Sequence, residues 1–155
     1  MNDSMRQDAI SRVGITIAID GPAGSGKSTV SKALAARLGI GYLDTGAMYR
    51  ALTWYCLDRG IDLADKAAVA AAANEMPLRL VSDPSDPHVW VGEREITEEI
   101  REPRIALEIK HVSTNLDVRA WMAAEQRRRM MEAREQGSGM IAEGRDITTV
   151  VCPDA

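Results

Sequence analysis

One segment near the start of the chain constrains its fold more than any other. It reads Gly21-Pro22-Ala23-Gly24-Ser25-Gly26-Lys27-Ser28 and has the spacing G-x-x-x-x-G-K-[ST]. An apolar run over residues 15–19 precedes it and an amphipathic stretch over residues 30–38 follows it, which predicts a strand, a tight loop and a helix. The glycines let the backbone curl so that successive N–H groups point inward, and the helix adds the positive end of its dipole. The segment therefore predicts a loop that binds phosphate.

Two side chains of this loop carry its chemistry. Lys27 supplies a mobile cation for the outer phosphates of a nucleotide, and the hydroxyl of Ser28 is a ligand that Mg²⁺ accepts. A chance glycine-rich turn is the alternative, and the flanking strand and helix patterns count against it. We expect residues 21–28, with Thr29 in the first turn of the helix, to hold the phosphates of a nucleotide.

Composition narrows the possible functions. The chain has 155 residues, 45% of them hydrophobic, which is enough for a core, and its net charge of −4 disfavours nucleic acid or an anionic membrane as a partner. Cys56 and Cys152 lack a zinc-type spacing and are typical of reduced cytosolic thiols. The N-terminus is not a signal peptide, and no apolar run reaches membrane-spanning length. We expect a cytoplasmic monomer.

Hydrophobic periodicity predicts an α/β fold of the P-loop NTPase type, a parallel sheet flanked by helices. It indicates strands over residues 15–19, 41–43 and 140–142, and helices over about 27–38, 47–58 and 117–136. Ligands of open parallel sheets bind at the carboxyl ends of the strands. Asp20-Gly21 and residues 143–146 are therefore expected to face one crevice.

The pattern changes over residues 62–103. Asp65 caps an alanine-rich helix, and the short runs 78–81, 89–91 and 94–96 indicate strands, the last two forming a hairpin. We predict a small α+β insertion here, a core made of residues 13–61 and 104–155, and a disordered lead-in over residues 1–12. Three parallel strands are fewer than such a sheet usually has. We therefore expect a sheet that is incomplete at the C-terminus and a chain that is the front part of a longer protein.

Several further segments resemble one family. In order along the chain they are Leu43-Asp44-Thr45-Gly46-Ala47-Met48-Tyr49-Arg50, Gly92-Glu93, Ile96-Thr97, Ile100-Arg101, Asp117-Val118-Arg119 and Glu143-Gly144-Arg145-Asp146. From about residue 13 to the end, the chain resembles the bacterial cytidylate kinases. The D-T-G-A-M-Y-R element with a later G-R-D is much more specific than the loop alone. The resemblance implies transfer of the ATP γ-phosphoryl group to CMP or dCMP with Mg²⁺, and monophosphate binding by the insertion.

The resemblance also implies a set of acceptor residues. Phosphoryl transfer needs positioning and positive charge, which makes Lys27 and Arg145 the expected catalytic residues. Thr45, Arg50 and Arg145 are expected at the acceptor phosphate. For Thr45 and Arg50, spacing alone equally allows a helix cap and a surface arginine. Asp146 suits cytosine, whose N4 amino group donates hydrogen bonds, and it would repel the carbonyl of uracil. A structural ion pair is the alternative for Arg145 and Asp146.

Some positions allow a second interpretation or depart from the family. Arg119 matches a base-contacting arginine of the family, with an exposed helix arginine as the alternative. Lys110 stands where the family usually has a small hydroxyl residue, and Thr148 where it has glycine. Asp20 is expected either to orient a Mg²⁺-bound water or to fix the loop backbone, and Glu143 is a further candidate.

Three other readings stay open from the sequence. The first is a kinase for UMP, AMP or a shikimate-type substrate, which would share the loop. The second is a regulatory nucleotide switch, although such a protein would normally show the motif N-K-x-D, which this sequence lacks. The third is an inactive binding module produced by truncation. The family's arginine-bearing lid would lie after residue 155. We therefore expect little kinase activity from the 155-residue polypeptide alone.

Overall fold

The computed structural model describes residues 2–155, with the side chains of residues 7 and 10–13 outside the description. Its elements, in chain order, are α1 (Asp3–Val13), β1 (Thr16–Asp20), α2 (Lys27–Leu38), β2 (Gly41–Asp44), α3 (Thr45–Asp58), α4 (Lys66–Glu75), β3 (Leu78–Val81), β4 (His88–Val91), β5 (Arg94–Glu95), a 3-10 turn (Glu99–Arg101), α5 (Pro103–Ser113), α6 (Leu116–Glu135), β6 (Met140–Gly144) and a π-helical turn (Ile147–Val151).

The chain separates into two compact units. The first comprises the residues up to Thr45 together with Ser82–Pro87 and Glu125–Ala155, and the second comprises Gly46–Val81 and His88–Ala124. The second unit is wider than the predicted 62–103 insertion in both directions. The α/β class itself is confirmed.

The first unit contains the parallel sheet, whose strand order is β1-β6-β2. All five residues of β6 are buried, as expected of a central strand that pairs on both sides. In the register of the sheet, Asp20 lies opposite Gly144 and Asp44 lies opposite Glu143. The carboxyl ends of all three strands therefore bring polar side chains to one edge. The sequence predicted this for β1 and β6.

Helix α2 packs beside this sheet. Ala35 and Ile40 form a buried cluster with Tyr42 and Ile141, and partly buried leucines and isoleucines surround it. The helix ends at Gly39, which adopts φ 67° and donates its N–H to the last turn. A left-handed residue at this position favours glycine, so the helix has the bounds that the sequence predicted.

The second unit contains the antiparallel sheet β3-β4-β5. As predicted, Asp65 caps α4, accepting the N–H of Ala68 at 3.1 Å. The side chain of Asn115 accepts the N–H of Asp117 at 3.2 Å at the start of α6 and donates to the carbonyl of Lys66 at 3.0 Å. Side-chain caps thus fix the ends of two helices in this unit.

The disordered lead-in expected over residues 1–12 was wrong for the part that the structure describes, and Met1 lies outside it. Helix α1 begins at Asp3, and the side chain of Asn2 accepts the N–H of Met5 at 2.9 Å. An acidic residue in the first turn favours the helix dipole, and no glycine or proline interrupts the segment before Gly14. Local helix formation was therefore underestimated.

Among the helices of residues 2–155, none is long and apolar enough to cross a membrane. The longest, α6, is rich in arginine and glutamate: Arg128 pairs with Glu125 at 2.7 Å and with Glu132 at 2.8 Å. Arg127 of the same helix makes two hydrogen bonds to the carboxylate of Asp154, at 2.7 and 3.0 Å. This pair ties the end of the chain to α6.

Candidate nucleotide-binding site

The glycine-rich loop joins β1 to α2 in the first unit. Gly24 and Gly26 have φ of 76° and 84°, and a Cβ at either position would meet no described heavy atom within 4 Å. These glycines are therefore required for their backbone conformation and not for space. A Cβ on Gly21 would come within 2.9 Å of the Ser25 hydroxyl, so the loop is also tightly curled.

Helix α2 opens directly at this loop. Gly26 precedes it without a capping side chain, and the first turn contains no acidic residue. Its first N–H groups and the positive end of its dipole are therefore suited to an anion. Lys27 bends back over the loop, with its Nζ 3.4 Å from the carbonyl oxygen of Pro22. The ammonium group thus lies beside the loop that should hold phosphate.

Behind the loop, the carboxylate of Glu143 connects three elements. Its Oε1 accepts the hydroxyl of Ser28 at 2.7 Å and the phenol of Tyr42 at 2.5 Å. Its Oε2 is buried and has no hydrogen-bond partner among the described residues. Burial, followed by the hydrogen bond to Glu143, raises the pKa of Tyr42, so its phenol remains a donor. The sequence prediction missed Tyr42, although a tyrosine in an apolar strand needs a partner for its hydroxyl when buried.

Thr45, the first residue of α3, is buried and donates its hydroxyl to the carbonyl oxygen of Glu143 at 2.8 Å. The predicted hydrogen bond from this hydroxyl to a phosphate would have to replace that bond. The same contact explains Gly144, because a Cβ there would collide with the Thr45 hydroxyl and come within 3.0 Å of the Ile147 side chain. Close packing thus dictates the glycine of the G-R-D element.

A cavity of about 490 Å³ lies at the carboxyl edge of the sheet. It is lined by Asp20, Gly21, Pro22, Ala23 and Arg145. Arg145 is exposed and Asp146 is half-buried, and both directly follow β6. The structure therefore brings Arg145 to the same cavity as the start of the phosphate-binding loop, which is the crevice that the sequence predicted.

Asp20 fixes the chain that follows Asp146. Its two carboxylate oxygens accept the N–H of Ile147 at 2.8 Å, the N–H of Thr148 at 2.8 Å and the hydroxyl of Thr148 at 2.6 Å. Partial burial acts to raise the pKa of Asp20, but the hydrogen bonds from Thr148 and Ile147 outweigh it and leave the pKa below its ordinary value. The structure therefore shows Asp20 holding the backbone after β6, and the two roles predicted for it, at a Mg²⁺-bound water or at the backbone of the phosphate-binding loop, stay predictions.

Replacing Thr148 with valine tests this contact. The variant keeps the backbone N–H but loses the hydroxyl, so we expect the free energy of unfolding at pH 7 to fall. Because Thr148 is exposed and solvent weakens the contact, the expected loss is only about 1 kcal/mol. Because the folded state lowers the pKa of Asp20, this stabilisation exists above the ordinary value of 3.8 and is lost as the pH falls through the lower folded value. Urea unfolding at several pH values measures it. Thr149→Val, next in the chain and also exposed, is the control, and an equal or pH-independent loss in both variants would contradict the assignment.

Arg50 and Arg119 belong to the second unit. Arg119 is exposed on α6 and donates through Nη1 to the carbonyl of Ser113 at 3.3 Å, while Arg50 is half-buried on α3. Lys110 is exposed near the end of α5, where its carbonyl accepts the hydroxyl of Thr114 at 2.7 Å. The acceptor roles stay predictions for all five residues, Thr45, Arg50, Arg119, Arg145 and Asp146.

The residues at the loop fit Mg²⁺ that arrives with a nucleotide. Within residues 2–155, no group of three or more His, Cys, Asp or Glu side chains could hold a metal ion. Mg²⁺ needs no such cage, because one or two protein oxygens suffice when phosphates and water complete its shell. The exposed hydroxyl oxygen of Ser28 has lone pairs that can bind a cation. This hydroxyl donates to Oε1 of Glu143, whose other oxygen, Oε2, has no hydrogen-bond partner among the described residues. A nearby cation would offset this buried negative charge.

A strand, a loop with two left-handed glycines and a helix that opens with Lys27 define a P-loop protein of the α/β class. Comparison with known proteins gives the family. The family model described as cytidylate kinase matches residues 17–155. The chain therefore belongs to the cytidylate kinase family, and the resemblance seen in the sequence is confirmed.

Individual relatives agree with this assignment. The chain is 43% identical over 141 residues to a cytidylate kinase of Streptomyces avermitilis, an alignment that covers 91% of this chain and 60% of the relative. It is 44% identical over 142 residues to a cytidylate kinase of Corynebacterium glutamicum, with 92% and 60% covered. A bifunctional pantoate ligase/cytidylate kinase of a Synechococcus species is 46% identical over 142 residues, which are 90% of this chain and 27% of that protein. The chain thus spans at most about 60% of the length of these relatives.

Proposed function

We propose that this protein transfers the γ-phosphoryl group of ATP to CMP or dCMP, giving ADP and CDP or dCDP. The observation that carries the proposal is the cavity shared by the phosphate-binding loop and Arg145, in a chain of the cytidylate kinase family. The names of its relatives support cytidylate as the acceptor. The thiols of Cys56 and Cys152, both buried and neither in a disulfide, suit a reducing compartment, and we place the reaction in the cytoplasm.

Residues 21–29 hold the phosphates of ATP in this proposal. The N–H groups of the loop and of the first turn of α2 bind the phosphate oxygens, and Lys27 adds a mobile positive charge. Arg145, at the other side of the same cavity, stabilises the charge of the transferring group. Ser28 would hold Mg²⁺, which neutralises charge on the outer phosphates when it is bound.

The acceptor residues rest on the family resemblance. Thr45 and Arg50 bind the phosphate of CMP, Arg119 contacts the base, and Asp146 accepts a hydrogen bond from the cytosine amino group. Uracil would present a carbonyl to the Asp146 carboxylate, which explains a preference for cytosine without any further contact. Residues 62–103, which belong to the second unit except for Ser82–Pro87, form part of the monophosphate-binding region.

A panel of acceptors tests this function. CMP, dCMP, UMP and AMP are each supplied with MgATP, and ADP release is followed together with direct binding of each nucleotide. Binding is included because the chain spans about 60% of the length of its cytidylate kinase relatives. We expect CMP or dCMP to bind and react in preference to UMP and AMP. Equal binding of UMP would refute the role of Asp146, and a chain that binds neither ATP nor CMP would refute the function.

Arg50→Ala separates the two nucleotide sites. Loss of charged hydrogen bonds worth about 1.5–3 kcal/mol should weaken CMP binding roughly 10- to 100-fold. ATP binding should be unchanged, as calorimetric titration with each nucleotide would show. Arg59→Ala, an exposed arginine just after the same helix, serves as the control. If ATP affinity fell as much as CMP affinity, Arg50 would not belong to the acceptor side.

A further inference from the structure

We propose that Tyr42 is a positioning residue for the metal-binding hydroxyl of Ser28, acting through the carboxylate of Glu143. This proposal rests on the proposed function, because it assumes that MgATP occupies the loop. It concerns a residue of β2, outside the loop, whose phenol donates to the Glu143 carboxylate and also lies close to the Ser28 hydroxyl. The three side chains form a chain of two hydrogen bonds that meet at one oxygen atom.

The sheet sets the geometry of this chain. Tyr42 pairs with Ile141 on the neighbouring strand, and Glu143 lies two residues further along β6, so both side chains point to the same face. Tyr42 and Glu143 are 4% and 3% exposed. Two buried side chains on adjacent, regularly paired strands have few alternative positions. The phenol therefore holds the carboxylate in one orientation.

That orientation determines what the Ser28 hydroxyl can do. A hydroxyl has one hydrogen and two lone pairs, and here the hydrogen is donated to Glu143. The lone pairs are then directed away from Glu143, and the Ser28 residue is exposed. A hydroxyl held in this way presents its oxygen as a ligand, whereas a freely rotating one would present its hydrogen part of the time.

The second hydrogen bond is what keeps Glu143 in place. A buried carboxylate with one oxygen unmatched by any described partner gains from turning toward a better donor. The phenol of Tyr42 opposes this turn with a charge-assisted hydrogen bond.

Tyr42→Phe tests the proposal, since it removes one hydroxyl and keeps the buried ring. The readout is the gain in ATP affinity that Mg²⁺ produces, measured by titrating ATP with Mg²⁺ and with EDTA. We expect this gain to fall roughly tenfold, at the low end of the loss caused by removing an outer-shell partner of a metal ligand. ATP affinity in EDTA should be unchanged. Tyr55→Phe is the control, because Tyr55 is also 4% exposed and lies outside the loop and β2.

A double variant tests whether Tyr42 affects Mg²⁺ binding through the Ser28 hydroxyl. If Tyr42 acts through Ser28, Tyr42→Phe should cause no further loss of the Mg²⁺-dependent gain in a Ser28→Ala background. A Mg²⁺-dependent gain equal to that of the unchanged protein would overturn the proposal, as would an equal loss in EDTA. Failure of the unchanged protein to bind ATP would instead overturn the proposed function, so the two failures are distinguishable.

Discussion

Replacing Lys27 with alanine should lower kcat for the proposed CMP phosphorylation by about 10²–10³-fold, the usual effect of removing one preorganised donor from a developing charge. The Nζ of Lys27 lies 3.4 Å from the carbonyl of Pro22, over the loop proposed to hold the phosphates. The other positive contributions at the loop come from backbone N–H groups and the helix dipole, neither of which can move to replace it. Steady-state ADP release at saturating ATP and CMP measures the change.

Arg37→Ala is the matched control for Lys27→Ala. Arg37 lies in the last turn of the same helix, about 15 Å along the axis from Lys27. Its replacement by alanine removes the same formal charge. We expect kcat for this variant to stay within about twofold of the original, because an exposed charge at that distance is largely screened. If Lys27→Ala left kcat unchanged, the lysine would have no part in phosphoryl transfer.

Gly144→Ala should lower the free energy of unfolding by about 2–4 kcal/mol. The added Cβ would overlap the hydroxyl of Thr45 and approach the Ile147 side chain, in a strand that is buried along its whole length. Overpacking of this kind costs about 1–3 kcal/mol, and displacement of Thr45 would also break its hydrogen bond to Glu143, worth about 1 kcal/mol. Guanidinium unfolding followed by circular dichroism measures the difference.

Gly60→Ala is the comparison variant, because its added Cβ would not overlap any neighbouring atom. Gly60 has φ of 67°, and a Cβ there would meet no described heavy atom within 4 Å. We expect a loss of about 1 kcal/mol from the left-handed backbone alone. A loss for Gly144→Ala no larger than that for Gly60→Ala would show that the Thr45 contact relaxes without cost.

Local signals were sufficient for most helices. Helix α2 has the predicted bounds because Gly26 and Gly39, both with positive φ, border it. Helix α4 begins after Asp65, whose carboxylate caps it. In both cases the residues that end the helix are adjacent to it in sequence, and their physical effect does not depend on the rest of the fold.

Long-range contacts explain what the sequence did not predict. The apolar run Thr149-Val150-Val151 is β-branched, yet it forms part of a π-helical turn. The carboxylate of Asp20 binds the N–H groups of Ile147 and Thr148 and so caps this turn from a strand far away in sequence. A cap supplied by another part of the chain leaves no local pattern.

The candidate site also contains residues that local sequence predicts and residues that only long-range contacts bring together. The loop, Lys27 and Ser28 were predictable because the motif is continuous, and Arg145 because it directly follows a buried strand. The link from Tyr42 through Glu143 to Ser28 was not predictable, because it requires β2 and β6 to be neighbours. The roles of Arg50 and Arg119 depend on a bound nucleotide and stay predictions.

The position of β6 between β1 and β2 has a consequence for biosynthesis. Both early strands pair with β6 in the parallel sheet, so neither has its neighbour until Met140–Gly144 has left the ribosome. At about 5–20 residues per second, β1 waits for several seconds or longer, and such a high contact order makes assembly slow. The second unit, Gly46–Val81 with His88–Ala124, is fully synthesised before that moment. Within these 155 residues, the strand that emerges first is therefore paired only after the second unit has been synthesised.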